Sequence, residues 1–391
     1  MKNSRAFAAC LLLGAAPFAF ATAHAKGSGD AVAYQVDIAH SGQATLKGFK
    51  GKLKPLWTKN LGYGAISYPL IADGMVFVTA ANTSGYGTQL FALDAASGAT
   101  VWQQALSGTY FWSNAAYDKG QIFAVNYDGL VRAFDAASGT LNWSAQMQTQ
   151  YSFSSPPTAS KGKIWFGGSG EGGTLYAVDE KNGNVAWSEG VENGSNSAPA
   201  LGDGGVFVTY PCQYYGFAPK SGGTLWHDSD GCQGGGGKTP VYFNGGVYVR
   251  DPGIGYVVLD AKSGAQSGSF LAGPAPAFFM LNKQPYGAAL ANGALTAFNT
   301  QTNATLWSFT GDGQLSTAPL TIGSYVVEGS TSGNLYVLNG ENGKLATQVN
   351  VGAGIPGPDE QNVSQPLTGL AAADGILVVP AGSQLSAYAP K

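Results

Sequence analysis

One phrase recurs along the chain and constrains the fold more than any other feature. An apolar run leads to an acidic or amide residue, then to a Gly-containing turn, then to tryptophan. It reads LFALDAASGATVW from Leu90 to Trp102, LVRAFDAASGTLNW from Leu130 to Trp143 and LYAVDEKNGNVAW from Leu175 to Trp187. Weaker copies run from Tyr214 to Trp226, Tyr256 to Phe270, Leu295 to Trp307 and Leu335 to Ala346. Asp94, Asp135, Asp179, Ala218, Asp260, Asn299 and Asn339 hold equivalent places. Their spacing of about 40 residues marks an array in which each unit is one supersecondary element that buries its faces against its neighbours.

Each unit holds four short stretches suited to strands, such as ISYPLIAD, MVFVTA, TQLFALD and ATVWQQA in the first. Apolar and polar residues alternate within them, and Gly, Asn, Asp and Ser separate them. The D-x-x-S-G segment is turn chemistry: the Asp side chain accepts from amides just downstream, and Gly98 or Gly139 supplies positive φ. Four strands per unit make one propeller blade. Seven units run from about residue 66 to 351, and an eighth set of strands (VSQPLTGLAAAD, ILVVPA, QLSAYAP) lacks a fourth member. The segment LKPLWTKNLG around Trp57 ends like a unit with no blade before it, so it supplies the missing outer strand and closes the ring. The expected fold is all-β, an eight-bladed propeller over 53–391, preceded by a lead-in segment over 26–52.

The A-x-D-x-x-[ST]-G-x-x-x-W phrase resembles the repeat of pyrroloquinoline-quinone (PQQ)-type propellers. These include the quinoprotein dehydrogenases and the periplasmic scaffold of outer-membrane protein assembly. The resemblance spans nearly the whole mature chain. It implies the ring; the tryptophans it specifies, Trp57, Trp102, Trp143, Trp187, Trp226 and Trp307, are expected to be structural. Dehydrogenases of this kind typically add an adjacent Cys-Cys disulfide, calcium held by Glu and Asn, a catalytic Asp and large insertions. No adjacent cysteines occur here, and no such residue set can be carried over.

The first 25 residues read as a secretory leader: MKNSR, an apolar stretch and the small-residue site Ala23-His24-Ala25. Cys10 lies early in that stretch, where it does not suit lipidation. Removing the leader takes Lys2 and Arg5 with it and moves the net charge from −3 to about −5. That balance argues against nucleic acid and anionic membrane surfaces. A monomer in the periplasm, or secreted, is expected, with no membrane insertion. An oxidising compartment makes Cys212 and Cys232 a disulfide pair.

Chemistry-bearing clusters are sparse. The run GCQGGGGKT, Gly231 to Thr239, lacks the phosphate-loop spacing and any helix behind it. His40 and His227 are far apart, which excludes a multi-histidine metal site. His40 is expected to be a satisfied packing residue. Asp228 with Asp230, and Asp359 with Glu360, read as solvated acidic turns rather than calcium ligands. No catalytic residue, metal or cofactor is therefore expected on the leading reading, a non-catalytic binding or scaffold propeller. The alternative is a PQQ- and calcium-dependent quinoprotein oxidoreductase acting on alcohols or sugars.

The binding surface is expected on the face that carries the inter-blade connections. They contribute Tyr63, Tyr110, Phe111, Trp112, Tyr151 and Phe153, with Asn196, Gln233, Gln314 and Gln361. Loops between second and third strands add Tyr86, Tyr127, Asp128, Arg250 and Asp251. Aromatics interleaved with amides suit an envelope protein or a glycan, through stacking and neutral hydrogen bonds.

Overall fold

Every repeat becomes a four-stranded antiparallel sheet, and eight such sheets form the ring. The structure is a computed structural model and describes residues 29–391 apart from Thr109, Glu171, residues 232–236, residues 252–253 and Ala272. The leader expected over 1–25 lies outside the described residues. In blade 1 the inner strand Leu70–Ala72 is followed by Met75–Ala81, Thr88–Asp94 and the outer strand Thr100–Leu106. The inner three are almost wholly buried between neighbouring sheets, while the outer strand alternates exposed and covered positions. That gradient explains why apolar runs dominate the first part of each repeat and period-2 alternation the last. Among the described residues, no helix is long and apolar enough to cross a membrane.

Blade 8 is built from both ends of the ring. Ala371–Ala373, Ile376–Ala381 and Gln384–Pro390 are completed by Leu53–Asn60, which lies antiparallel to the last of them with Trp57 opposite Ala387. The strand that would otherwise be a bare edge is thereby paired.

The lead-in segment does more than precede the ring. Residues 29–44 wind around the axis and bond to the inner strand of one blade after another. Asp374 N donates to Gly29 O, Tyr117 N to Val32 O, Leu201 N to Ile38 O, and Tyr242 N to Ala39 O. Phe278 N donates to Ser41 O and Thr321 N to Gly42 O, while Ala31 and Ile71 exchange a pair of bonds. Blade 3 joins through Thr158 Oγ1 and His40 Nε2, 3.3 Å apart. Gln43–Ala44 then runs parallel to Leu320–Ile322 as a fifth strand of blade 7. Gly42, at φ +65°, has no room for a side chain: a Cβ there would sit 2.6 Å from that of Ala277.

Candidate functional site

The repeat tryptophans sit at the seams between blades. Each indole Nε1 donates to a carbonyl in the next blade: Trp57 to Ala95, Trp102 to Ala136, Trp143 to Glu180, Trp187 to Pro219, Trp226 to Ala261 and Trp307 to Gly340. The ring face covers the turn glycine of that blade. A Cβ on Gly98, Gly139, Gly183, Gly222, Gly264 or Gly343 would lie 2.6–2.8 Å from indole carbons. Across the sheet from each indole stands Ala387, Ala92, Ala133, Ala177, Gly216 or Ala297, all small enough to let it lie flat. These six residues therefore hold the ring together, and the loops above are free to differ.

On the loop face, the rings cluster over blades 1 and 2. Tyr86 and Tyr110 stack with centroids 6.0 Å apart, and Tyr110 stacks on Tyr127 at 4.8 Å. Phe111 meets Tyr86 edge-on at 5.1 Å. Gly87 N donates to Tyr110 O, which ties the two loops together. Tyr86 is 60% exposed and Tyr151, on the next connection, 72%. Arg132 flanks the group, held by Asn126 Oδ1 and Ser107 O. The result is a rigid aromatic step with few charges beside it.

Other residues expected on this surface are placed elsewhere. Trp112 and Phe153 are 3% and 1% exposed and belong to the core between blades 2 and 3, where Phe153 packs on Phe166 and Tyr176. Trp112 immediately precedes the inner strand Ser113–Asp118, and Phe153 lies on the connection that leads into Thr158–Ser160. Tyr63 is half-buried against Phe91. Gln314 stands apart over blade 7, accepting from Thr331. Gln233 lies outside the described residues.

Arg250 and Asp251 are also buried, at 4% and 5% exposure, and each has a structural partner. Asp251 Oδ2 accepts from Cys212 N at 2.8 Å. Arg250 pairs with Glu360 at 2.6 Å and donates to Thr239 O at 2.9 Å. Glu360 Oε2 accepts from Thr239 N, and its backbone carbonyl from Asn196 Nδ2 at 2.6 Å. Glu360 is thus no solvated turn. It lies on the connection from blade 7 to blade 8, while its partners are in blades 4 and 5 across the ring, so that connection spans the axis. Gln361 Nε2 extends the attachment to Gly237 O. Losing either member of such a pair leaves a buried charge and typically costs about 3–5 kcal/mol. The link joins residues 110 positions apart, and nothing local in the sequence announces it.

The axis is polar but filled. His40 is fully buried, between Tyr34 O at 2.7 Å and Pro199 O at 3.0 Å, and burial holds its pKa below the usual histidine value. Tyr34 rests on Tyr68, centroids 5.5 Å apart. Glu328 in blade 7 accepts from Thr317 N and Oγ1 with one oxygen, and the other has no partner; burial pushes its pKa up to about 8. His227 sits on the outer rim, stacked on Tyr215 at 4.2 Å.

Cys212, Asp230 and Asp251 offer atoms within 4.8 Å of one another. Asp230 N donates to Cys212 O at 3.2 Å, so the chain passes Cys212 two residues before Cys232, which lies outside the described residues.

The family described as outer membrane protein assembly factor BamB matches overlapping stretches over residues 39–105, 54–208, 127–276 and 171–387. Among curated proteins, the quinone alcohol dehydrogenase subunit of Gluconacetobacter polyoxogenes is 26% identical over 340 residues, 77% of this chain and 42% of the relative. Its counterpart in Gluconobacter oxydans is 26% identical, over 76% of this chain and 41% of the relative. The chain thus spans about two fifths of the length of these relatives. Among solved structures, BamB of Moraxella catarrhalis superposes with a TM-score of 0.65 at 19% identity, over 86% of this chain and all of that one. A europium-containing methanol dehydrogenase gives 0.72 at 14%, over 92% and 98%. At such identities the likeness is one of fold.

These relatives correct one expectation. The absence of any cofactor does not stand as a reading of this sequence, because the curated relatives are quinone alcohol dehydrogenases and a solved neighbour contains europium. As placed, however, the axial residues do not fit a planar quinone. Tyr34, Tyr68, His40 and the lead-in backbone occupy the centre, and Arg250 is committed to Glu360 and Thr239. With the repeat, the eight closed blades and a match over most of its length, the chain belongs to the BamB family of PQQ-like propellers.

Proposed function

We propose that this protein is an extracytoplasmic scaffold propeller that holds an envelope protein on its loop face, at the aromatic step of blades 1 and 2. The observation that carries this reading is the grouping of Tyr86, Tyr110, Phe111 and Tyr127 on one sector, with Tyr86 largely in solvent. Aromatic side chains that are already ordered supply contact area at little further cost in entropy, which suits a docking hot spot. The link from Glu360 to Arg250 fixes the centre of that face, so recognition falls to the periphery. The leader over 1–25, a single propeller over 53–391 and a Cys212–Cys232 disulfide complete the proposal.

The test is capture of partners from envelope extracts by the mature protein and by its Tyr86→Ala/Tyr110→Ala variant, with Val101→Ser on the outer rim as control. We expect one partner to lose at least about tenfold in affinity, 1.4 kcal/mol, in the tyrosine variant alone. Equal capture by all three, with unchanged melting temperatures, would sink the reading. Migration of the same sample with and without reductant checks the disulfide. A second reading, a quinone-dependent oxidoreductase, is favoured by the names of the curated relatives. Dye reduction by this protein supplied with PQQ, calcium and an alcohol or sugar would select it instead.

A further inference from the structure

The carbonyl that receives each tryptophan indole belongs to a residue without an acidic side chain in every blade but one. Ala95, Ala136, Pro219, Ala261 and Gly340 hold that place, and Glu180 holds it in blade 3. The Glu180 residue is only 6% exposed. Its carboxyl reaches across the seam to Asp118, at the end of the inner strand of blade 2. Asp118 Oδ2 and Glu180 Oε1 are both shut from solvent, and no protein group donates to either. Lys119 Nζ lies 3.4 Å from Asp118 Oδ2, but its side chain is 69% exposed and its contribution correspondingly small. Two buried carboxyl oxygens turned toward each other without a donor require a positive species between them.

Two species can meet that need, a proton or a metal ion. Glu180 also lines an open groove with Gln121, Asn142, Gly162, Asp179, Lys181 and Asn182, which gives an ion a hydrated way in and waters to complete its shell. The donors are carboxylate oxygens, with no imidazole or thiolate in the groove, so a hard divalent ion is favoured over zinc or copper. We propose that Asp118 and Glu180 hold a calcium-type divalent cation that bridges blades 2 and 3 at the face opposite the aromatic step. Two protein carboxylates plus water correspond to weak extracellular sites, with Kd of about 10⁻⁴–10⁻³ M.

Trp143 provides the readout, because its indole donates to Glu180 O at 2.8 Å and stands beside the site. Terbium added to the mature protein and excited through tryptophan should luminesce, and calcium at about 1 mM should quench that emission by displacement. Glu180→Gln should abolish the signal while keeping the fold, since its amide can donate to Asp118; Asp118→Asn is the companion variant. Calcium should raise the melting temperature of the wild type and of neither variant. Emission that survives both substitutions, or no emission at all, would overturn the site. A shared proton has its own mark. With a folded pKa of about 8 against an ordinary 4.5 for Glu180, stability is full at low pH and lost as pH rises through about 8. That loss, unaffected by calcium and absent from Glu180→Gln, would replace the cation with the proton.

Discussion

Two seams of the ring solve the same packing problem differently. Between blades 2 and 3, Trp143 lies over Gly183, faces Ala133 across its own sheet and bonds to Glu180. Between blades 5 and 6 the tryptophan place is taken by Gly268, opposite Val258. The outer strand there, Gln266–Ser269, is exposed at every position. The turn it would have covered ends in Asn303 at φ 56°, where the other junctions carry glycine. Blade 7 agrees: Thr347 holds the tryptophan place and faces Val337. Indole, turn glycine and a small cross-strand residue therefore occur together or not at all. The glycine is needed for the ring that covers it as well as for its φ, because Asn meets the φ alone.

Removing the indole should have the largest effect. Trp143→Ala should cost about 3–5 kcal/mol in chemical denaturation. A loss under about 1 kcal/mol would show that the seam does not depend on it. Next, Gly183→Ala should cost more than Asn303→Ala. Both place alanine at positive φ, for about 1–2 kcal/mol, but only the first drives a Cβ to within 2.6 Å of Trp143. Equal losses would mean that the indole yields freely. The smallest effect runs the other way. Gly268→Trp with Val258→Ala and Asn303→Gly should install the missing contact and raise stability by about 1 kcal/mol, whereas Gly268→Trp alone should not.

Much of this architecture is legible in the sequence. The repeat period, the four strands per unit and the closing role of the segment around Trp57 follow from spacing alone, because each blade packs only against its neighbours. The aromatic face is legible only in part. An aromatic on a connection reads the same whether it turns out to solvent, as Tyr86 does, or turns into the core between blades, as Trp112 and Phe153 do. Backbone bonding by the lead-in segment leaves no side-chain pattern to read. The Arg250–Glu360 link depends on the ring bringing distant loops together. Glu180 did leave a signal, an acid where the aligned repeats carry Ala, Pro, Thr or Gly, visible once the repeats are compared column by column.

The winding of residues 29–44 around the axis has a kinetic consequence. Blades that touch only their neighbours could form and melt one at a time, as in an open solenoid. Here one segment is bonded to all eight, to seven through its backbone and to blade 3 through His40, and its partners extend to Asp374, 345 residues from Gly29. Contacts of that separation are slow to form, since the closure entropy comes before their reward. Once made, they turn eight repeats into a single cooperative unit. Unfolding of one blade must then strip the common strand from the rest, so the ring resists local fraying and yields, when it does, all at once.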